Sequence, residues 1–206
     1  MKIIKTLFTI TTILLLSAQT FLVAQTSKSS DYIVLNFGDT LYGNVTHIDQ
    51  RGVNPKLYKK IRLTNSDNKQ KKYKRKDVSA FRVNNTSYEG FWLSQSSQKI
   101  VFLNPKYDIN PQSGEKYFLK VLSKGKLSHY ALEWWQQGDS SVWRMDLFKK
   151  EEDQFFIRAT QGILGLKRKV LVKYFSNCLD LKEQIKQKQL SKVSQVVDFY
   201  KNNCIN

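Results

Sequence analysis

Asp31 to Ile48 reads DYIVLNFGDTLYGNVTHI, two runs of alternating apolar and polar residues on either side of Phe37-Gly38-Asp39-Thr40. Alternation with period two is the pattern of a strand that buries one face, and a Gly-Asp pair between two such runs signals a hairpin. Gly38 supplies backbone freedom for a tight turn, and Asp39 reads as a turn acceptor rather than an acid catalyst. The stretch announces an antiparallel sheet and carries no recognisable chemistry.

Downstream, the same period recurs. Lys59-Lys60-Ile61-Arg62-Leu63-Thr64 places Ile61 and Leu63 towards a core and its basic residues towards water. Asp77 to Val83 reads as a capped turn followed by a short strand, Tyr88 to Leu93 as another strand, and Lys99 to Leu103 as a further one. Arg51 to Pro55 reads as a connection, and Asp108 to Glu115, with its Pro and Gly, as an exposed loop. Tyr117–Ser123, Leu127–Trp135 and Val142–Phe148 form a meander turning at Lys124-Gly125-Lys126 and Gln137-Gly138-Asp139-Ser140, and Phe155-Phe156-Ile157 adds a short strand.

From about Thr160 the spacing becomes helical. Ile163, Leu164, Leu166, Val170, Leu171 and Tyr174 suit a first helix, whose first turn Gly162 and Gly165 weaken; Leu179, Leu181 and Ile185 suit a second, and Leu190, Val193, Val196, Val197 and Tyr200 a third. The expected fold is α+β, an antiparallel β-rich body (a meander or open barrel-like sheet) followed by a C-terminal helical unit. The boundaries fall at 31–157 for the body and 158–206 for the helical unit packed on it.

The N-terminus has a different character. Lys2 and Lys5 precede an apolar run from Leu7 to Leu16, and the segment ends Leu22-Val23-Ala24-Gln25. That is the layout of a secretory leader, 1–24, cleaved after Ala24, with 25–30 as a polar tether; the run is too short to anchor the mature chain across a bilayer. Export decides how the two cysteines are read. Cys178 and Cys204, an even pair in an oxidising compartment, are expected to form a structural disulfide closing the hairpin of the second and third helices.

Net charge is the most unusual bulk property. The 206-residue chain is +17, and without Lys2 and Lys5 its 32 basic residues still face 17 acids. Such a protein is drawn to polyanions. Lys69-Gln70-Lys71-Lys72-Tyr73-Lys74-Arg75-Lys76 concentrates six of the basic residues and is the candidate polyanion contact, its alternative being an edge strand protected by lysines. Trp134 and Trp135 cannot both face inward in a strand, so one of the two is the candidate aromatic contact.

Catalytic signals are sparse. His47 and His129 stand in no metal-ligand spacing, and neither a phosphate-binding Gly-rich loop nor a G-x-S-x-G elbow is present. Glu133 beside Trp134 is a faint glycosidase-like feature, and Glu151-Glu152-Asp153 reads as a solvated turn.

Tyr32-Ile33-Val34, Gly38-Asp39-Thr40 and Leu41-Tyr42-Gly43 together resemble the opening of a family of secreted Bacteroidota proteins. Asp77-Val78-Ser79-Ala80-Phe81, Phe118 to Leu122 leading into Gly125-Lys126-Leu127, Tyr174 to Leu179 and Tyr200 to Cys204 are similar too. Where many relatives have Asp-Cys-Pro, this chain has Asn177-Cys178-Leu179. The resemblance implies a shared fold and a place in the envelope of a diderm bacterium, periplasmic or at the cell surface, and carries over no functional residue. The expected function is an envelope binding or structural module with a basic face for an anionic envelope component or an acidic protein. Nucleic acid is disfavoured as the partner, and no cofactor is expected. The alternative is a secreted hydrolase acting on an envelope glycan.

Overall fold

Gly38, at φ 95°, lets the chain reverse after Tyr32–Leu35 (β1) into Thr40–Tyr42 (β2), with the Leu35 N–H donating to the Asp39 carbonyl at 2.8 Å and the Gly38 N–H to the Leu35 carbonyl at 3.0 Å. In this computed structural model, which describes residues 31–47, 60–95, 105–135 and 142–204, the opening hairpin is therefore present. Its second arm is shorter than the alternation predicts. A Cβ on Gly43 would lie 2.4 Å from the Thr64 carbonyl oxygen, so only glycine admits that close approach. There the chain leaves the first sheet and enters a second as Asn44–His47 (β3), which pairs with Lys60–Thr64 (β4), itself paired with Gln70–Lys74 (β5).

The first sheet resumes with Val78–Val83 (β6) and Thr86–Gln95 (β7), then Lys106–Ile109 (β8), Glu115–Ser123 (β9), Leu127–Trp135 (β10), Val142–Lys150 (β11) and Phe155–Arg158 (β12). All its pairings are antiparallel. Because β7 pairs with both β8 and β9, the run β7-β8-β12-β11-β10-β9 returns on itself as a closed six-stranded barrel. Closure removes the exposed sheet edges that an open meander would leave. Alternation then sorts each strand: Leu93, Leu119, Tyr130, Leu132, Met145, Leu147 and Phe156 share one core. Those side chains fill the interior of this narrow barrel.

Two further cores lie outside the barrel. Tyr88 of β7 and Phe118 of β9 pack with Ile33, Phe81, Val45, Ile61 and Leu63, which fixes the second sheet to the barrel's outer face. On another side Leu127, Phe148 and Ile157 meet the helices Arg168–Tyr174 (α1), Leu179–Lys186 (α2) and Val193–Asn203 (α3) through Leu171, Phe175, Leu181, Ile185 and Val196. Arg168 joins the helices by donating from Nη1 to the carbonyls of Ile185, 2.9 Å, and Leu190, 2.8 Å, two acceptors near the end of α2. Cys178 and Cys204 are bonded, with Cα atoms 5.6 Å apart, one residue before α2 and one after α3.

Three expectations are corrected. Asp108 and Ile109 are not loop but the end of β8, paired with Phe155 of β12 and Leu93 of β7; only the turn after Ile109 is irregular. The first helix begins at Arg168 rather than near Thr160, because Gly162 and Gly165 take positive φ (66° and 77°) and Thr160 bridges Leu166. Leu164 and Leu179, assigned to apolar helix faces, are exposed. The leader at 1–24, the tether at 25–30, the Arg51–Pro55 connection, the Lys99–Leu103 strand and the Gln137–Ser140 turn lie outside the described residues.

The buried phenols give the fold an alkaline limit. Burial, and then donation to Glu115 Oε2 at 3.0 Å, pushes Tyr117 up to about 12. Burial and donation to a carboxylate also raise Tyr130, through Glu89, and Tyr174, through Asp153. A folded-state value above the unfolded one contributes stability that is complete below the unfolded value and lost as pH rises through the folded one. Lys116, Lys167 and Arg158, lowered by burial, work in the opposite direction. Burial raises Tyr107 and Tyr200 as well, and the five phenols outnumber the three bases, so stability should fall from about pH 10 upward. Urea midpoints measured at intervals between neutral pH and the alkaline limit check this, with tyrosinate absorbance rising together with unfolding; a flat profile would contradict it.

Candidate functional site

The basic run does not form one patch. Lys69 sits in the turn before β5, where its N–H donates to Asn65 Oδ1 at 2.8 Å. Within β5 the side chains alternate. Lys71 and Tyr73 stand opposite Leu63 and Ile61 on the side that meets the core, with the Lys71 ammonium 5.2 Å from the centre of the half-buried Tyr73 ring. Packed this way, Tyr73 is not the free stacking ring that the sequence offers. Arg75 turns away to Glu115 at 2.9 Å, and the Lys76 carbonyl accepts from Asn36 Nδ2 at 2.7 Å and Lys116 Nζ at 3.3 Å.

What remains on the outer face is sharper. Lys72 lies directly opposite Arg62, and Lys74 directly opposite Lys60. The four make a two-by-two block of cations; Lys60, Lys72 and Lys74 are exposed, and the Nε of the half-buried Arg62 is enclosed without a hydrogen bond among the described residues. None of the four reaches a carboxylate among the described residues, whose ion pairs engage other cations. Like charges directly opposite across a strand pair are destabilising. Lys60 and Arg62 were legible as water-facing residues, but their partners follow from the β4–β5 register, which the sequence does not display.

Of the aromatic pair, Trp134 is half-buried against the barrel core and stacked on Trp143 at 6.5 Å with the rings 19° apart. The exposed ring of that stack is Trp143. The Trp135 side chain lies outside the described residues, as does that of His47.

His129 is buried, its Nε2 2.8 Å from Asp146 Oδ1, which also accepts from Arg144 Nη2 at 2.5 Å. Burial alone would raise Asp146; the His129 and Arg144 donors outweigh it and hold the carboxyl below its usual range. Phe148 covers the imidazole edge-on at 5.4 Å, and neither His129 nor Asp146 lines the surface hollows beside Lys124 and α1. The pair is an internal tie between β10 and β11. Glu133 pairs with Lys120 at 3.5 Å.

Two surface hollows formed by described residues bear on function. The first, about 430 Å³, lies where β9 turns into β10 and contains Glu89, Lys124, Tyr130 and Glu151. Glu89 Oε2 accepts from Lys124 Nζ at 2.7 Å and from the Tyr130 hydroxyl at 2.8 Å, while Glu151 stands in the exposed turn after β11. The second lies between α1 and strands β8 and β12. Among the described residues no group of three or more His, Cys, Asp or Glu is placed to hold a metal ion, and no helix is long and apolar enough to cross a membrane.

Fold and surface together define an α+β protein, a closed six-stranded antiparallel barrel that carries a cationic three-stranded sheet on one side and a disulfide-closed helical unit on another. No family model, curated protein or solved structure matches the chain.

Proposed function

We propose that the protein is an exported component of a bacterial cell envelope, a non-enzymatic binding or structural module whose basic face holds an anionic envelope polymer such as lipopolysaccharide. The observation that carries this reading is the register of β4 and β5, which sets Arg62 against Lys72 and Lys60 against Lys74. Protection of a sheet edge explains cations on β5, the outer strand. It does not explain Lys60 and Arg62, because β4 is paired on both sides. A disulfide is compatible with an oxidising compartment, which supports export.

The alternative, a secreted hydrolase acting on an envelope glycan, draws on the hollow that holds Glu89 and Glu151. Such chemistry asks for two carboxylates opposed across a sugar. Glu89 is already engaged by Lys124 and Tyr130, which favours the binding reading.

The double variant Lys72→Glu/Lys74→Glu tests the proposal, because it keeps the edge strand charged while turning both like-charge pairs into opposite-charge ones. Each converted pair should stabilise the fold by about 0.2–1 kcal/mol in urea titrations. Binding to immobilised lipopolysaccharide should move the other way. At about 1 kcal/mol per basic side chain near an anionic surface, affinity falls at least roughly 30-fold. Its salt dependence becomes shallower as fewer counterions are released. Affinity and salt slope unchanged in the variant would remove the basic face as the site.

A further inference from the structure

The hollow between α1 and the ends of β8 and β12 has a volume of about 550 Å³, within the range of about 300–1,000 Å³ typical of small-molecule sites. Its walls are chemically divided. Phe155 and Ile157 from β12 and Val170 and Tyr174 from α1 supply hydrocarbon and aromatic surface. Around them stand four ammonium groups, and their commitments differ. Lys106 is 2.8 Å from Asp108, with its Nζ 4.3 Å above the Phe155 ring. Lys150 donates from Nζ to the Tyr174 carbonyl at 3.2 Å and lies over the Tyr174 ring at 4.7 Å. The carboxylate in the hollow, Asp153, accepts from the Tyr174 hydroxyl and from the Lys150 N–H. Lys169 and Lys173 are left: both are exposed, both line the hollow, and neither has an ion-pair partner among the described residues.

Those two lysines are four residues apart on α1, as are Val170 and Tyr174, so one strip of a single short helix presents an apolar pair flanked by a cationic pair. Like charges at that spacing oppose helix formation, and α1 contains no acid to offset them. An apolar pocket with uncommitted ammonium groups at its border is complementary to a molecule that is itself divided, with a hydrocarbon part and one anionic head. We infer that this hollow binds a single-chain anionic amphiphile, a fatty-acyl chain ending in a carboxylate, with the chain against Phe155, Ile157 and Val170 and the head between Lys169 and Lys173. The site is separate from the basic face of β4 and β5 in both residues and chemistry, since it needs the hydrocarbon part that a polyanion lacks.

Isothermal titration with sodium dodecanoate, kept below its micelle concentration, tests this on the purified protein. One-to-one binding is expected. Decanoate should bind roughly tenfold or more weaker, because each buried methylene is worth about fourfold in affinity. Dodecyl maltoside and dodecyltrimethylammonium, which share the chain and lack the anion, should bind at least tenfold weaker than dodecanoate. Lys169→Glu/Lys173→Glu, on exposed helix positions, should lose dodecanoate binding while keeping the wild-type circular dichroism spectrum. Lys72→Glu/Lys74→Glu should bind dodecanoate like wild type whatever it does to lipopolysaccharide, which separates this site from the basic face. The inference is overturned by any of four results: no saturable binding of dodecanoate at two temperatures, equal affinity for the maltoside, equal affinity for dodecyltrimethylammonium, or wild-type affinity in the Lys169→Glu/Lys173→Glu protein.

Discussion

Replacing Phe156 with alanine should remove about 4 kcal/mol of stability, at the upper end of what a single substitution does. Phe156 is fully buried at the centre of the barrel. Its ring meets Phe91 at 4.9 Å and Tyr130 at 5.4 Å, and Phe91 meets Tyr130 at 5.5 Å, all three pairs edge to face. Each such pair adds about 0.5–1.5 kcal/mol beyond the area it buries. A closed barrel also collapses poorly around a void, because moving one strand inward strains the pairing of both neighbours. In a domain of this size the loss corresponds to a melting temperature lower by about 8–16 °C. Phe156→Leu, which refills most of the volume and forfeits the ring contacts, should lose about 1–2 kcal/mol. Urea titrations of both variants read this directly. A loss below about 1.5 kcal/mol for alanine would mean that the barrel interior is not close-packed. Two of the three rings, Phe91 and Tyr130, also line the hollow beside Lys124, so the same packing shapes that surface.

How much of this was legible depended on whether a feature is local. The meander from Tyr117 to Ile157 was readable because its strands pair with sequence neighbours and its alternation is strong. The bonding of Cys178 to Cys204 followed from their being an even pair in a chain whose N-terminus reads as an export leader. Barrel closure was not readable: it rests on Tyr88 pairing with Lys120 and Trp92 with Lys116, contacts between segments whose registers nothing local specifies. The same holds for the site. Lys69 to Lys76 stood out as composition, yet pairing divides it between two faces, and half of the resulting block comes from Lys60 and Arg62. The division of the second hairpin arm at Gly43 depends on the distant Thr64 carbonyl, and the late start of α1 on two glycines whose positive φ belongs to the bridge around them. The α1 hollow was still less visible, because its floor comes from β12 and its two uncommitted cations, Lys169 and Lys173, from a helix that looks ordinary in isolation.

Removing the disulfide, as Cys178→Ser/Cys204→Ser or by reduction, should destabilise the protein by about 3.5 kcal/mol if the bond acts by restricting the unfolded chain over a loop of this length. The bond spans 26 positions and encloses both α2 and α3. Without it, α3 is held by Val196 in the shared core and by contacts such as Tyr200 against Phe175 at 5.5 Å. That is a small hold for a terminal helix with few buried residues. The expected readout is a melting temperature lower by about 7–14 °C. Amide exchange should become faster in α2 and α3 well before it does in the barrel strands. Equal melting with and without reductant would show that packing alone suffices. The result also bears on where the chain works, since this stabilisation exists only where thiols stay oxidised. A reducing compartment would leave the helical unit fraying from the sheet and would open the wall that α1 gives to the hollow. Dodecanoate affinity should therefore fall in the reduced protein if α2 and α3 hold α1 in place, through Arg168 and the shared Leu171, Phe175 and Leu181 core.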